Sequence, residues 1–271
     1  MTPIALTPTD LATAAMLLLV DGVISFRLGL GLARPLAIAG LRMVVQLLLI
    51  GLVLRRVFSI DNPALTLAVV VLMTLVAARE VAARPEQKLR QLGNFTVSAI
   101  AVGLSTAMAS LFALTTAIRP DPWFDPHYAI PLVGILVGSV LNGASLALDT
   151  LLAGVVAERA GIEAQLALAA TFNQALRPLR RRAIRRGLLP IINQMSAAGF
   201  ITLPGTMTGQ ILAGMDPMEA LKYQILLMFL LSGGAGLAAM LTVQLALRRL
   251  TDSRQRLRLD QLKTHGKGNA S

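Results

Sequence analysis

Residues 161–190 read GIEAQLALAATFNQALRPLRRRAIRRGLLP. Leucine and alanine at helical spacing give way to a dense block of arginines and a closing Leu-Leu-Pro. Long apolar runs flank this stretch on both sides. A soluble domain carries about 25% charged residues. This chain of 271 residues is 14% charged and 55% hydrophobic, with a mean hydropathy of +0.68. One aqueous core cannot hide so much apolar surface. The arginine block therefore reads as a loop at the rim of an all-α, polytopic integral membrane protein.

Working outward, about seven apolar runs are long enough to span a bilayer: 9–27, 35–54, 62–78, 94–117, 129–152, 190–214 and 219–247. The third is short, and Pro204-Gly205 interrupts the sixth. Cations fix the expected orientation. Most of the 25 lysines and arginines fall after the first, third, fifth and seventh runs. Only Arg55, Arg56, Arg119 and Lys222 face the other way, and Arg42 lies within a run. The positive-inside rule then places the N-terminus outside and the C-terminus in the cytoplasm. Residues 1–250 form one transmembrane domain, with a cytoplasmic loop at 153–190. Residues 251–271 form a polar cytoplasmic tail, expected to be solvated from about Asp252 onward.

Composition removes several classes of function. The chain has no cysteine and two histidines, His127 and His265. Thiolate metal sites, disulfides and cysteine nucleophiles are excluded. A net charge of +11 would suit nucleic acid, but the cations cluster at span ends, so no nucleic-acid partner is expected. The N-terminus lacks a basic region and a small-residue cleavage site, so the first run is expected to be retained. No triad or zinc motif is apparent, and the chain is not expected to be an enzyme. It also has no G-x-x-x-x-G-K-[ST] phosphate loop.

Within 161–190, Pro178 is expected to divide two short helices, the second crowded by Arg180, Arg181, Arg182, Arg185 and Arg186. On these features alone, an amphipathic helix pair resting on anionic lipid is one reading. It would make the protein a non-transporting scaffold. A docking loop for a partner protein is the other.

Glu163-Ala164, an apolar stretch and Leu188-Leu189-Pro190 resemble the EAA loop of ABC-transporter permeases. Ala169 stands where that loop usually has glycine, and Gln165 replaces its second alanine. Residues 193–224, NQMSAAGFITLPGTMTGQILAGMDPMEALKYQ, resemble the signature of the FetB-type permeases. These are bacterial iron-export permeases related to plant permeases of aluminium tolerance. Arg42-Met-Val-Val-Gln46 through Gly51 is similar to the family's second span, and Ile130-Pro131 through Gly138 to its fifth. Ser139 replaces an asparagine common in the family.

The resemblance covers about residues 10–250 and implies an ATP-driven exporter in the bacterial inner membrane, probing metal homeostasis as its role. Iron is the implied cargo, with another metal ion or a small solute as the alternative. It implies a separate ABC ATPase chain, which would hold ATP and magnesium, so no cofactor belongs to this chain. It further implies a homodimer, hence two permeases with two ATPases. Glu163, Ala164, Ala169, Ala170, Leu189 and Pro190 become the candidate coupling residues.

Backbone freed from helical pairing is tolerated in a bilayer only where protein or a watery cavity satisfies it. The broken sixth run is therefore the candidate path, with Asn193, Ser196, Thr202, Pro204, Gly205, Thr206, Thr208 and Gln210 offering neutral polar groups. A helix kink packed against a neighbour is the alternative. Asp21, Arg42, Gln46 and Asp149 are polar residues within runs. Asp21 and Arg42 fall at similar depth on neighbouring antiparallel runs and are expected to pair, unless Arg42 reaches the interface instead. Asp149 faces either the pore or the interface. Met195, Met207, Met215 and Met218 read as apolar filler. Asp121, Asp125 and His127 read as a turn beside the interfacial anchor Trp123 rather than a metal exit site. No metal site is assigned. Gly134–Gly138 and Gly205–Gly209 permit close helix approach, as does Gly233-Gly234 with Gly236, and either set is a candidate dimer seam.

Overall fold

The structure, a computed structural model, describes residues 7–60, 62–90, 92–122, 124–252 and 256–262. Its helices are α1 (Pro8–Arg27), α2 (Ala33–Ile60), α3 (Pro63–Ala83), α4 (Gly93–Phe112), α5 (Pro126–Ala157), α6 (Arg159–Ala167), α7 (Phe172–Ala175), α8 (Arg177–Ala197), α9 (Gly205–Leu212) and α10 (Pro217–Arg249). A π-helical turn, Ala113–Ala117, extends α4.

Four helices start by the same device. Thr7, Asn62, Asp125 and Asp216 each accept a backbone N–H from the first turn of α1, α3, α5 and α10. Proline stands at the first helical position in each. The cap satisfies an orphan donor, and proline forfeits only an N–H that has no helical partner there.

The core is α3, α4, α5, α8 and α10. Ser139 of α5 donates to the Leu231 carbonyl of α10 at 3.2 Å, and one turn later Gly143 meets Ala235. Both positions advance together, so α5 and α10 run parallel. On α8, Leu179 packs on Gly154 and Gly187 on Gly143, so α8 runs back against them. The stripe Leu179, Ala183, Gly187, Ile191 is the buried face of α8. A Cβ at Gly187 would lie 2.6 Å from the Gly143 carbonyl oxygen. Glycine is thus what lets these backbones approach.

Six described helical segments are long and apolar enough to cross a membrane: α1, α2, α3, α4 with its π turn, α5 and α10. The run at 190–214 is not a seventh such helix. Pro190 lies inside α8, which begins at Arg177 and ends at Ala197. The chain then turns through Gly199 at φ +97° and re-enters α9, eight residues long. Because α5 and α10 are parallel, α8, this turn and α9 together provide the return between them. Pro178 does not separate two short helices either. It sits in the first turn of α8, where it is tolerated, and the arginines ride the same helix that goes on to pack against α5 and α10.

α1 and α2 form a hairpin whose large apolar side chains are mostly exposed, as a lipid-facing pair requires. The hairpin meets the core near the end of α2, where Val57 packs with Val69 and Ile130 and Phe58 stacks on His127 with ring centroids 4.4 Å apart. It meets it again through Arg42.

Residues 256–262 are not a solvated tail. Arg90 N–H donates to the Gln261 carbonyl, and Leu89 bridges Leu262. Leu250, Leu257, Leu259 and Leu262 join the same apolar cluster as Leu89, Ile162 and Phe172. Alternating leucines supply the apolar face that holds the strap down. Trp123 and His265 lie outside the described residues.

Candidate functional site: a glycine-lined cavity and the loop beneath it

At the arginine-rich end, α6 and α7 are rooted by Ile162, Phe172, Ala175 and Leu176, all buried. Arg159 pairs with Glu163 at 2.9 Å, and Glu158 with Arg182. The Leu168 side chain, by contrast, is 84% exposed, and Glu163 and Ala164 are exposed beside it. Ala169 has φ +66°. It ends α6 in the left-handed conformation that favours glycine, which explains why glycine suits this position. Ala170 N–H returns to the Gln165 carbonyl in the same cap. Leu189 and Pro190 are not loop residues. They lie more than two turns into α8, and Pro190 lines a cavity higher up.

The polar groups of the break are largely spent on backbone. Ser196 Oγ donates to the Ile192 carbonyl at 2.9 Å, Thr202 Oγ to Ala197 at 3.3 Å and Thr208 Oγ to Pro204 at 3.2 Å. Thr206 Oγ1 donates to Gln224 Oε1. The first three are local back-bonds to carbonyls four or five residues earlier, common for Ser and Thr in and beside helices. Asn193 and Gly205 are exposed, while Pro204 and Gln210 are half-buried. Met195, Met207 and Met228 line a separate cavity of about 460 Å³ with Phe229, mostly apolar.

Arg42 pairs with Glu80 of α3, not with Asp21. Glu80 lies near the end of α3, facing the early turns of α2, and takes the guanidinium. No hydrogen bond or ion pair is found at Asp21 among the described residues. Gln46 is exposed on α2. Asp149 Oδ1 accepts from Glu86 N–H at 3.4 Å and so tethers the α3–α4 loop. In the turn before α5, Asp125 Oδ1 accepts from His127 N–H at 2.8 Å and lies 3.0 Å from its Nδ1. These groups hold a turn. No cluster of three or more metal-ligating side chains occurs among the described residues.

A cavity of about 270 Å³ opens between α5, α8 and α10. Gly134, Gly138 and Gly143 form its α5 wall, and Gly187 and Pro190 its α8 wall. Ser139, Asn142 and Gln194 supply its side-chain polar groups. Arg84 Nη1 reaches Asn142 Oδ1 at 3.4 Å from the α3–α4 loop. Pro190 has no N–H, which leaves the Arg186 carbonyl without its helical donor. Gly138 has nothing within 4 Å of where a Cβ would stand, so it faces open space. Gly205 and Gly209 also face open space. Asn142, Gln194, Arg84 and Glu80 were not singled out by sequence. The available signal was Asn142, one amide among the apolar residues of α5, a turn beyond Gly138.

These features define a multi-pass membrane protein with a partly polar cleft between α5, α8 and α10 and an exposed, rooted loop at its arginine-rich end. The chain belongs to the family described as "Uncharacterised protein family (UPF0014)", whose model matches residues 8–251. It is 43% identical to a UPF0014 membrane protein of Synechocystis over 203 residues, 75% of this chain and 78% of the relative. It is 33% identical over 261 residues to the "Probable iron export permease protein FetB" of Escherichia coli, covering 95% and 97% of the two chains. The rice "UPF0014 membrane protein STAR2" is 35% identical over 234 residues, 86% of this chain and 79% of the relative. No solved structure matches the chain.

Proposed function

We propose that this chain is the membrane subunit of an ATP-driven ABC exporter in the bacterial inner membrane, moving iron out of the cytoplasm. The observation that carries this reading is the rooted loop with Glu163, Ala164 and Leu168 displayed on it. The chain has no phosphate loop of its own, so ATP and magnesium would bind a separate ATPase seated on that loop. Two copies of each chain make the complex. The name of the Escherichia coli relative, matched over nearly the full length, supports iron as the cargo. The loop and the C-terminus then face the cytoplasm, in keeping with the cations of α8.

The test is co-expression with the candidate ATPase, co-purification, and ATP-dependent iron uptake into inside-out vesicles. Uptake by the intact complex, lost when Glu163→Arg and Ala170→Asp are combined, supports both assignments. A protein that recruits no ATPase returns the arginine face to a lipid-binding role.

A further inference from the structure

We propose that the cavity between α5, α8 and α10 is the cargo subsite, that it takes iron as an anionic hydroxycarboxylate chelate rather than a bare cation, and that Arg84 selects for that charge. This rests on the reading of the chain as an iron-exporting permease.

Size comes first. A water molecule occupies about 30 Å³ in the liquid. A cavity of about 270 Å³ therefore has room for a small complex, far more than a dehydrated ion needs. Gly138 leaves room on the α5 side, where nothing lies within 4 Å of a Cβ position.

Charge decides the class. No carboxylate lines the cavity. Asp149, about two turns beyond Asn142 along α5, is engaged with the Glu86 N–H. Arg84, in contrast, places its guanidinium on the oxygen of Asn142. A bare metal ion seeking that oxygen would share it with a fixed positive charge. An anionic chelate meets donors instead: the amide N–H₂ groups of Asn142 and Gln194 on the lining, with the Arg84 guanidinium behind Asn142. Asn142 Oδ1 keeps a lone pair for a hydroxyl group of the ligand. Arg185 and Arg186 are exposed within about a turn of Pro190 on α8, and add positive potential on the approach.

The experiment uses the full chain with its ATPase in inside-out vesicles. Iron-55 is offered as ferrous ion with ascorbate or as ferric citrate, with carbon-14 citrate followed in parallel. The expected result is that both labels of the chelate enter together. Arg84→Gln should raise KM for the chelate by about tenfold, the loss of one charged contact, with a smaller change in kcat. Arg84→Lys should recover part of that loss, and Gly138→Leu should block chelate uptake by filling the cavity. Complex assembly is checked for each variant by size exclusion.

Transport of ferrous ion alone, or an unchanged KM in Arg84→Gln, overturns the proposal and leaves the exporter reading standing. Uptake of neither form by an assembled, ATP-hydrolysing complex overturns the proposal together with iron as cargo. Failure to assemble with any ATPase sinks the exporter reading itself.

Discussion

Arg42 of α2 is paired with Glu80 of α3, and this ion pair fastens the α1–α2 hairpin to the core. An unpaired charge near the centre of a membrane helix costs about 2.5–3.5 kcal/mol on insertion scales, less near its ends. Removing either partner leaves the other charge uncompensated. Arg42→Ala and Glu80→Ala should each lower thermal stability in detergent, and the double variant should lose less than their sum by about 1 kcal/mol. Asp21→Asn should leave stability nearly unchanged. Additive losses would show that the two side chains act independently.

Ala169 holds a left-handed backbone conformation at φ +66°. A residue with a Cβ pays about 1–2 kcal/mol there. Ala169→Gly should stabilise the protein by about 1 kcal/mol, a rise of roughly 2–4 °C in Tm for a chain of this size. Ala169→Val should lower it. Both are read by thermal unfolding of the purified protein.

Gly187 leaves no space for a side chain against Gly143. Gly187→Ala should push α8 off α5 and cost about 1–3 kcal/mol, as overpacking does. Gly138→Ala is the control, because its Cβ would meet nothing within 4 Å. Equal losses at both positions would contradict the packing described.

Leu168 is exposed on a loop rooted by other residues. Leu168→Asp should therefore change stability by no more than about 0.5 kcal/mol while reducing recovery of the ATPase in co-purification. An unfolded variant would mean that Leu168 has a structural role; undiminished recovery would move the docking surface elsewhere.

The strap of residues 256–262 predicts a further effect. Leu262 is buried beside Leu89, so Leu262→Asp should destabilise by about 2–4 kcal/mol, the cost of burying an unpaired charge or releasing the strap. Limited proteolysis should then cut near residue 252. Resistance equal to that of the parent protein would count against the strap.

Hydropathy marks the helices that lie among lipid or each other, and α1, α2, α3, α4, α5 and α10 follow it closely. It fails for α8, whose arginines mask the start of a helix that packs in the core. The legible clue was the four-residue stripe Leu179, Ala183, Gly187, Ile191. Pro204-Gly205 does mark an interruption, but the helix ends earlier, at Ala197. The hydroxyls that suggested a path are engaged with nearby backbone carbonyls and, at Thr206, with Gln224, a use that spacing cannot distinguish from ligand binding. Glu80 escaped notice because it lies past the apolar run at 62–78, where it reads as a loop residue. The cavity needed three helices to be assembled before Asn142 of α5 and Gln194 of α8 could be seen to line one space.

One last property belongs to α8. It is 21 residues long, about 30 Å from end to end, and unbroken from the arginines beside the docking loop to the edge of the turn at Gly199. Pro190 costs it one hydrogen bond without dividing it. Such a rod has no joint to absorb a push delivered at Arg177. A tilt of about 10° about one end displaces the other by roughly 5 Å, wider than a water molecule. Under the exporter reading proposed above, a push at the arginine-rich end would thus reach the Gly199 turn as a displacement set by the helix length.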